Sequence, residues 1–305
     1  MSDVTISTFE LFSLFPDEEA ARTYIEARRW PNGPVCQTCG EAKRITPRKG
    51  GYFRCNPCKV DFTVRTGTIF ERSHVPLHKW IYAMYQLMTA RKGVSSLQLS
   101  KEIGITQKSA WFVLQRIREA CGNDLTALRG IVEIDETWIG GKETNKHPGK
   151  KLLKGRGGVG KVTVLGMREH SGRTKAGPVN RTDAGYIQSL IHNNVEEGST
   201  IHTDEFGSYQ GLDGLFYRHE TINHSAGEYV RDGVTTNSIE SVWAVMKRGL
   251  HGVYHHASPK HLARYVNEFT FRLNDGDVKR PTMDRIASLI TASIGPRITY
   301  KELIA

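Results

Sequence analysis

The sequence lacks a hydrophobic run that would cross a membrane. Its longest nearly apolar stretch, residues 80–88, is far shorter than the roughly 18–20 residues that a membrane helix requires. Residues 1–15 have neither the basic start nor the continuous apolar core of a signal peptide. These absences argue against a membrane or exported protein and lead us to expect a cytoplasmic one.

Acidic residues are fewer than basic ones. The 305 residues include 32 Asp and Glu against 42 Lys and Arg, which gives a formal net charge of +10 at pH 7. Such an excess favours a polyanionic partner, although a soluble enzyme can also be basic for other reasons. The length suggests about two domains.

Cysteine is scarce, but four of the five cysteines form two closely spaced pairs. Cys36 and Cys39 are followed, after fifteen residues, by Cys55 and Cys58. This double C-x2-C pattern is typical of a structural zinc site, in which two knuckles complete a tetrahedron of thiolates. Disulfides are the alternative, and a reducing cytoplasm disfavours them. Cys121 lies in a helical pattern and is predicted to be a core residue.

A helix-turn-helix motif is predicted after the zinc module. A short helix over residues 97–103 stops at Gly104, and Thr106 caps a second helix over residues 107–120. Two short antiparallel helices with no DNA-binding role would give a similar pattern. The basic composition and the zinc motif favour DNA binding by the second helix, through outward-facing Gln107, Lys108, Gln115 and Arg116.

From Arg129 onward the pattern changes to strands alternating with helices, which predicts a mixed α/β sheet. Strands are expected at residues 131–135, 161–167, 200–202 and 217–222, and helices at 183–192, 238–250 and 259–273. We therefore expect four segments. They are an N-terminal helix with the zinc ribbon (1–72), a helical DNA-binding segment (73–125), an α/β domain (126–275) and a C-terminal helical tail (276–305).

Residues 142–161, between the first two of these strands, are rich in glycine and lysine. Such a stretch can simply be a solvated loop. Its position beside the sheet would also suit neutralisation of a DNA backbone. The candidate phosphate contacts are Lys150, Lys151, Lys154 and Arg156.

Three carboxylates are the candidates for chemistry. Asp135 and Asp204 each follow a predicted buried strand, where a side chain is rigidly held and opens on the edge of the sheet. Glu240 lies at the margin of the apolar stripe of the next predicted helix, with Lys247 two turns further on. Carboxylates on neighbouring strands form a hard oxygen site suited to Mg²⁺ or Mn²⁺.

The spacing of these residues resembles a known family. Asp204 and Glu240 are separated by 35 residues, and Lys247 follows Glu240 by seven. This arrangement resembles the DDE transposases and integrases, and more narrowly bacterial insertion-sequence transposases with an N-terminal zinc ribbon and a DDEK catalytic domain. The strings that carry the resemblance lie at residues 132–142, 202–205, 236–249, 254–262 and 268–274.

The resemblance implies a ribonuclease H-like fold and two-metal-ion catalysis by Asp135, Asp204, Glu240 and Lys247. It implies cleavage of phosphodiester bonds at the ends of an element and joining of the 3′-hydroxyl to target DNA. The expected partners are double-stranded DNA, as terminal inverted repeats and as target, and further copies of the chain in a homodimer or higher oligomer on that DNA. A nucleoid-associated location in a bacterial cytoplasm would follow.

Some alternatives remain open. Asn237 could replace Glu240 as the third ligand, because some similar transposases use Asn there. Glu133, Glu136 and Glu205 flank the aspartates and are predicted to be solvated or ion-paired acids. Two other function classes also fit: a DNA-binding regulator derived from an inactive transposase, which needs no acid triad, and a ribonuclease H-type nuclease, which needs no strand joining.

Overall fold

The computed structural model describes residues 5–122, 124–141, 143–152, 158–170, 172–214, 217–223, 228, 230–295 and 298–304. The chain divides into two compact units, Met1–Asn123 together with Asp275–Ala305, and Asp124–Asn274. In chain order the helices are α1 (Thr8–Leu14), α2 (Glu18–Arg29), α3 (Leu77–Thr89), α4 (Ser96–Ile103), α5 (Gln107–Ala120), α6 (Ala184–Asn194), α7 (Asn237–Gly249), α8 (Pro259–Asn274), α9 (Thr282–Ala292) and α10 (Tyr300–Ile304). The strands are β1 (Ile45–Arg48), β2 (Tyr52–Cys55), β3 (Asp61–Thr63), β4 (Ile131–Ile139), β5 (Val162–Glu169), β6 (Thr174–Val179), β7 (Thr200–Thr203) and β8 (Arg218–Thr221).

The first unit contains a small antiparallel sheet, in the order β1-β2-β3. Its aromatic core is formed by Trp30, which packs edge-on against Phe53 and Phe62. Three strands of three or four residues bury little apolar surface, and so small a sheet normally requires a metal or a covalent link.

Helices complete the first unit. α3 is buried along most of its length, including Trp80, Ile81 and Met84, and α9 belongs to the same unit. A buried arginine links the two segments, because Arg285 Nη1 of α9 donates to the carbonyl oxygen of Met88 over 3.1 Å. The residues predicted to be a C-terminal tail are therefore part of this unit's core. Within the described residues, no helix is long and apolar enough to cross a membrane.

The two predicted helices of the helix-turn-helix motif are present. α4 ends at Gly104, whose φ of 62° is the left-handed conformation that glycine tolerates. α5 begins after Thr106, whose side chain accepts a hydrogen bond from the backbone N–H of Ser109. The local capping chemistry that is visible in the sequence thus sets these helix ends.

The prediction that Gln115 and Arg116 face outward is wrong. Both side chains are buried, and Arg116 Nη1 donates to the carbonyl oxygens of Ile69 (2.6 Å) and Glu71 (2.9 Å). The apolar stripe of α5 suggested a helix with one buried face, but its unit covers α5 on more than that face. Arg116 therefore anchors backbone carbonyls inside the unit.

The second unit is built on a five-stranded sheet with the order β6-β5-β4-β7-β8. β4 pairs antiparallel with β5, and β5 with β6, whereas β4, β7 and β8 run parallel. This is the expected mixed α/β sheet. The edge strand β6 was not predicted because its sequence, TKAGPV, shows no apolar alternation and contains a proline, which sheets accept at an edge.

Helices cover the two faces of this sheet. On one face, Val132 and Ile134 of β4 form a buried cluster with Ile187 and Ile191 of α6. On the other, α7 and α8 pack over β5 in a second cluster that contains Val164. Because alternate residues of a strand point to opposite faces, Asp135 lies on the face that α7 covers.

A glycine allows α7 to approach the sheet. Gly166 of β5 pairs with Asp135 of β4, and the indole of Trp243 and the side chain of Ile239 lie over it. A Cβ at this position would lie 2.9 Å from Ile239 Cδ1 and inside van der Waals contact of the Trp243 ring. α7 can lie this close to the sheet because residue 166 has no side chain.

We predict that Gly166→Ala destabilises the second unit by about 1–3 kcal/mol, because overpacking must push α7 away from the sheet. Gly177→Ala in the neighbouring strand β6 is the matched control, since a Cβ there would meet nothing within 4 Å. Thermal unfolding of both variants measures the difference. Equal unfolding temperatures would contradict the prediction.

Candidate active site and metal centre

The four paired cysteines converge in the first unit. The Sγ atoms of Cys36 and Cys58 are 3.6 Å apart, those of Cys39 and Cys55 are 3.5 Å apart, and all four lie within 4.8 Å of one another. A tetrahedral ion with Zn–S bonds of about 2.3 Å separates its sulfurs by roughly 3.8 Å. The spacings are too long for disulfides. This cluster could therefore hold the zinc ion that the sequence predicts.

The environment favours the thiolate form at one of the four cysteines, Cys36, whereas the pKa values of Cys39, Cys55 and Cys58 are raised. Burial by itself raises the pKa of the Cys36 thiol, but hydrogen bonds from the backbone N–H groups of Cys39 and Thr38 outweigh it and lower the pKa to about 7. A turn that directs N–H groups at a sulfur is what a zinc knuckle provides. The site therefore fits Zn²⁺ by the geometry of its four sulfurs, and Cys36 is the thiol most readily deprotonated for binding.

In the second unit, the sheet brings Asp135 and Asp204 to the ends of neighbouring strands. β4 and β7 are parallel, with Glu133 opposite His202; Asp135 lies two residues further along β4, and Asp204 lies two residues after His202, just beyond the end of β7. β7 ends at Thr203, whereas β4 continues to Ile139. β4 therefore extends beyond the end of its parallel neighbour β7 from about Asp135 onward. This leaves the two carboxylates at the open edge of the sheet that is formed by the carboxyl ends of the parallel strands.

Asp135 has a defined hydrogen-bond partner. Trp243 Nε1 of α7 donates to Asp135 Oδ2 over 2.8 Å. Burial raises the pKa of the Asp135 carboxyl to about 6; the charges of Asp204 and Glu240 act in the same direction, and the hydrogen bond from Trp243 opposes them. Burial is thus the main cause of the raised pKa, and the two neighbouring acids add to it.

Glu240 and Lys247 lie on α7 as predicted from its apolar stripe. Ile239, Trp243 and Met246 are buried, whereas Glu240 and Lys247 are exposed. Glu240 is in the first turn, where its Oε1 accepts a hydrogen bond from the Thr236 hydroxyl over 3.3 Å. Lys247 is in the last turn. Asn237, the alternative third ligand, is also exposed, at the first position of the helix.

The donor chemistry of this site fits divalent cations. Among the described residues, the four cysteines are the one set of three or more His, Cys, Asp or Glu side chains grouped tightly enough to hold a metal ion, and Asp135, Asp204 and Glu240 are not so grouped. The three acids supply hard oxygen ligands, and their mutual repulsion at Asp135 would be relieved by a cation. Mg²⁺ or Mn²⁺ suits such a donor set.

A fourth carboxylate, Glu136, was expected to be solvated or ion-paired but is partly buried on the opposite face of β4. The hydroxyl of Tyr209 donates to Glu136 Oε2 over 2.6 Å. Burial raises the pKa of Glu136 to about 7, and the charges of Asp204 and Asp135 add to the effect. Strand alternation showed that Glu136 points away from Asp135, but Tyr209 comes from a later turn that periodicity could not place.

Glu133 is fully buried, which excludes a solvated acid at that position, and its 3.0 Å contact with Nδ1 of His170 corresponds to the ion-paired alternative when that histidine is protonated. His202 is buried as well, and burial lowers its pKa. Both lie on the α7 side of the sheet, as strand alternation indicates for residues two before Asp135 and Asp204. Their side chains contact the start of α7. That contact could not be read from the sequence.

The remaining DNA-binding candidates are distributed over both units. Gln107 and Lys108 at the start of α5 are exposed. Lys150 and Lys151 are exposed in the second unit, near a turn that Glu143 organises by accepting from Lys146 Nζ (2.6 Å) and from the Leu152 N–H (2.7 Å). The other two candidates lie outside the described residues; they are Lys154 and Arg156.

Family models match both units. The ISXO2-like transposase domain matches residues 127–274, and the transposase zinc-ribbon domain matches residues 16–60. The fold, the acids at the edge of the sheet and the four-cysteine cluster thus define a zinc-ribbon transposase with a DDE domain.

Two relatives agree with this class. An uncharacterized protein in transposable element ISH50 of Halobacterium salinarum is 30% identical over 274 residues, which cover 85% of this chain and 91% of that protein. An uncharacterized transposase-like protein of Haemophilus influenzae is 30% identical over 90 residues, or 30% of this chain and 72% of that protein. The chain belongs to the ISXO2-like transposase family.

Similar solved structures include a chain of a simian T-cell lymphotropic virus intasome in complex with PP2A regulatory subunit B56 gamma. It is 16% identical with a TM-score of 0.30, and the match covers 62% of this chain and 65% of that chain. A pre-cleavage Mos1 transpososome is 14% identical with a TM-score of 0.27, covering 70% and 78% respectively. TM-scores this low support no conclusion about function.

We predict that Cys55→Ser removes zinc and unfolds the ribbon while the second unit stays folded, because the small sheet depends on the ion. Metal analysis of the purified protein should find one equivalent of zinc before the change and none after it. Cys121→Ser is the control, since that buried cysteine is outside the cluster and its variant should retain zinc. A zinc-free protein with an intact ribbon would contradict the prediction.

Proposed function

We propose that this protein is the transposase of an insertion sequence, which cleaves phosphodiester bonds at the ends of its element and joins the freed 3′-hydroxyl to target DNA. The observation that carries the proposal is the placement of Asp135 on β4 beside the end of β7, which Asp204 follows, with α7, the helix of Glu240, held to Asp135 through Trp243. Membership of a transposase family supports it.

In this proposal each acid has a defined role. Asp135 would help to hold both of two divalent cations, Asp204 would help to hold one of them and Glu240 the other. Bound Mg²⁺ or Mn²⁺ would supply the Lewis acidity that activates the attacking hydroxyl and neutralises phosphate charge. Trp243 holds one oxygen of Asp135 in a fixed orientation through its hydrogen bond, and water or a DNA 3′-hydroxyl would use the same site in turn.

Lys247 supplies positive charge near the cut. It is exposed on α7 two turns after Glu240, on nearly the same side of the helix. A lysine at that position would contact a DNA phosphate and align the strand, without taking part in metal binding.

DNA binding is proposed to use two further surfaces. Exposed Gln107 and Lys108 at the start of α5 are suited to a base edge and a phosphate. The basic stretch with Lys150, Lys151, Lys154 and Arg156 is suited to the backbone near the catalytic edge. Because one site must meet both element ends and target, we further propose a homodimer or higher oligomer on DNA.

We predict that Glu240→Gln lowers cleavage and strand joining by at least about 10²-fold while DNA binding survives, because Gln keeps the shape but removes a charged ligand. Asp135→Asn and Asp204→Asn should behave alike. Lys247→Ala should lose less activity, since it removes only a contact with a DNA phosphate. Nicking of a supercoiled plasmid carrying the element ends, and joining of pre-cleaved ends, measure the two steps.

Two controls accompany these variants. Glu205→Gln removes an exposed acid next to Asp204 and should keep its activity. Asn237→Ala tests the alternative third ligand; a dead Asn237 variant beside an active Glu240→Gln would reassign it. Cleavage without joining would indicate a nuclease. If no acid variant affects a catalytically active protein, the proposal is wrong, and an inactive wild type that binds DNA would favour a regulator.

We predict that replacing Lys150, Lys151, Lys154 and Arg156 by Ala together flattens the salt dependence of DNA binding. The log–log slope should fall by about 3–4 units, because each phosphate contact releases close to one counterion. A Lys279→Ala, Lys301→Ala variant, with exposed lysines changed elsewhere, should alter the slope far less. An unchanged slope in the fourfold variant would restore the interpretation as a solvated loop.

A further inference from the structure

Two buried polar side chains lie side by side on neighbouring strands, each two residues before one of the candidate catalytic aspartates. Glu133 of β4 and His202 of β7 are register partners on the face of the sheet that α7 covers. Glu133 is fully buried, and His202 is 3% exposed. A carboxylate taken out of water is costly unless it is hydrogen-bonded, so its partners indicate why it is there.

Those partners are the backbone at the start of α7. Glu133 Oε2 accepts from the N–H of Ser238 over 2.8 Å and from the N–H of Ile239 over 3.1 Å. His202 Nδ1 accepts from the N–H of Thr235, just before the helix, over 3.4 Å. On its other side, Glu133 Oε1 lies 3.0 Å from Nδ1 of the half-exposed His170.

Local side chains cap α7 incompletely, because the Thr235 hydroxyl accepts from the N–H of Asn237 over 3.1 Å but the N–H groups of Ser238 and Ile239 are bound by Glu133. The first N–H groups of a helix have no partner inside it, and a Ser, Thr, Asp or Asn immediately before the helix normally provides one. Thr236 holds that position but makes no side-chain cap hydrogen bond. The acceptor for the N–H of Ser238 is Glu133, which lies 105 positions earlier in the chain. Its negative charge also suits the positive end of the helix dipole.

We infer that Glu133, with His202 beside it, is a positioning residue of the catalytic site, which sets Glu240 in register with Asp135 and Asp204 by capping α7. The inference rests on the proposed function, because it takes Glu240 to be a metal ligand. Glu240 follows the capped N–H groups by one residue or two. One strand, β4, therefore supplies Asp135 directly and places Glu240 through Glu133.

A second contact makes this placement rigid. One turn after the cap, Trp243 Nε1 donates to Asp135 Oδ2, so the same strand face holds α7 at two points. These two contacts fix both the distance of the first turn of α7 from the sheet and the direction of the helix axis. Groups that orient metal ligands in this way typically change metal affinity or activity by about 10–100-fold when they are removed.

The test uses the full-length, zinc-loaded protein with the changes Glu133→Ala and Glu133→Gln. Hydrogen exchange of the Ser238 and Ile239 amides reports the cap directly. Mn²⁺ binding without DNA, followed by electron paramagnetic resonance, reports the acid site without relying on catalysis. Plasmid cleavage over a range of Mn²⁺ concentrations reports function.

We expect both amides to exchange at least about tenfold faster in Glu133→Ala and Mn²⁺ to bind about 10–100-fold more weakly. DNA binding should be unchanged. Glu133→Gln keeps one carbonyl acceptor, so high Mn²⁺ should partly restore its cleavage. Glu240→Gln should show the reverse pattern: its Ser238 and Ile239 amides should stay protected from exchange, and high Mn²⁺ should not restore its cleavage. If Glu133→Ala does not fold, Glu133→Gln and His202→Asn carry the same measurements.

Glu268→Gln is the matched control, because Glu268 of α8 is another fully buried glutamate in the same unit, with partners Arg272 and Tyr254. It should lower the melting temperature without affecting the Ser238 and Ile239 amides or Mn²⁺ binding. Unchanged amides in the Glu133 variants, or equal loss of Mn²⁺ binding in Glu268→Gln, would overturn the inference. Accelerated exchange together with normal Mn²⁺ binding would overturn it too. If Glu240→Gln cleaves normally while the Ser238 and Ile239 amides exchange faster in the Glu133 variants, the proposed function is wrong, although Glu133 does cap α7.

Discussion

The close packing of α7 on β4 and β5 is the constraint on which the catalytic edge depends. Gly166 leaves room for the Trp243 ring, and that ring reaches Asp135 with its N–H. Without this approach, Glu240 would have no fixed relation to the aspartates of the sheet. A missing side chain on one strand thus decides the position of a carboxylate on a helix that begins about seventy residues later.

The same packing concentrates negative charge. Asp135 is partly buried near Asp204 and Glu240, and burial, with a smaller contribution from these two charges, raises the pKa of its carboxyl. A site that stores repulsion in this way gains most from binding a doubly charged ion. The zinc ribbon follows a related logic, since an ion held by its four cysteines would supplement the small aromatic core that three short strands can form.

Local chemistry allowed much of the fold to be predicted. Thr106 and Gly104 mark helix ends through capping and through left-handed backbone, both of which depend on adjacent residues. Prediction failed where the outcome depended on distant segments. Arg116 was predicted to face DNA because its helix has one apolar stripe, yet residues from Ile69 to Ile298 enclose it. The edge strand β6 was missed because its sequence, TKAGPV, shows no alternation of apolar residues.

By itself the sequence determined the chemical groups and their spacing: the thiolates of a zinc site, and a strand-borne Asp135 and Asp204 with Glu240 after them. These follow from residue type and short-range periodicity. Tertiary structure alone decided which groups meet. Glu133 became a buried cap rather than a solvated acid because α7 starts above it. A hydrogen bond between residues 105 positions apart depends on how sheet and helix pack, and no local pattern encodes that.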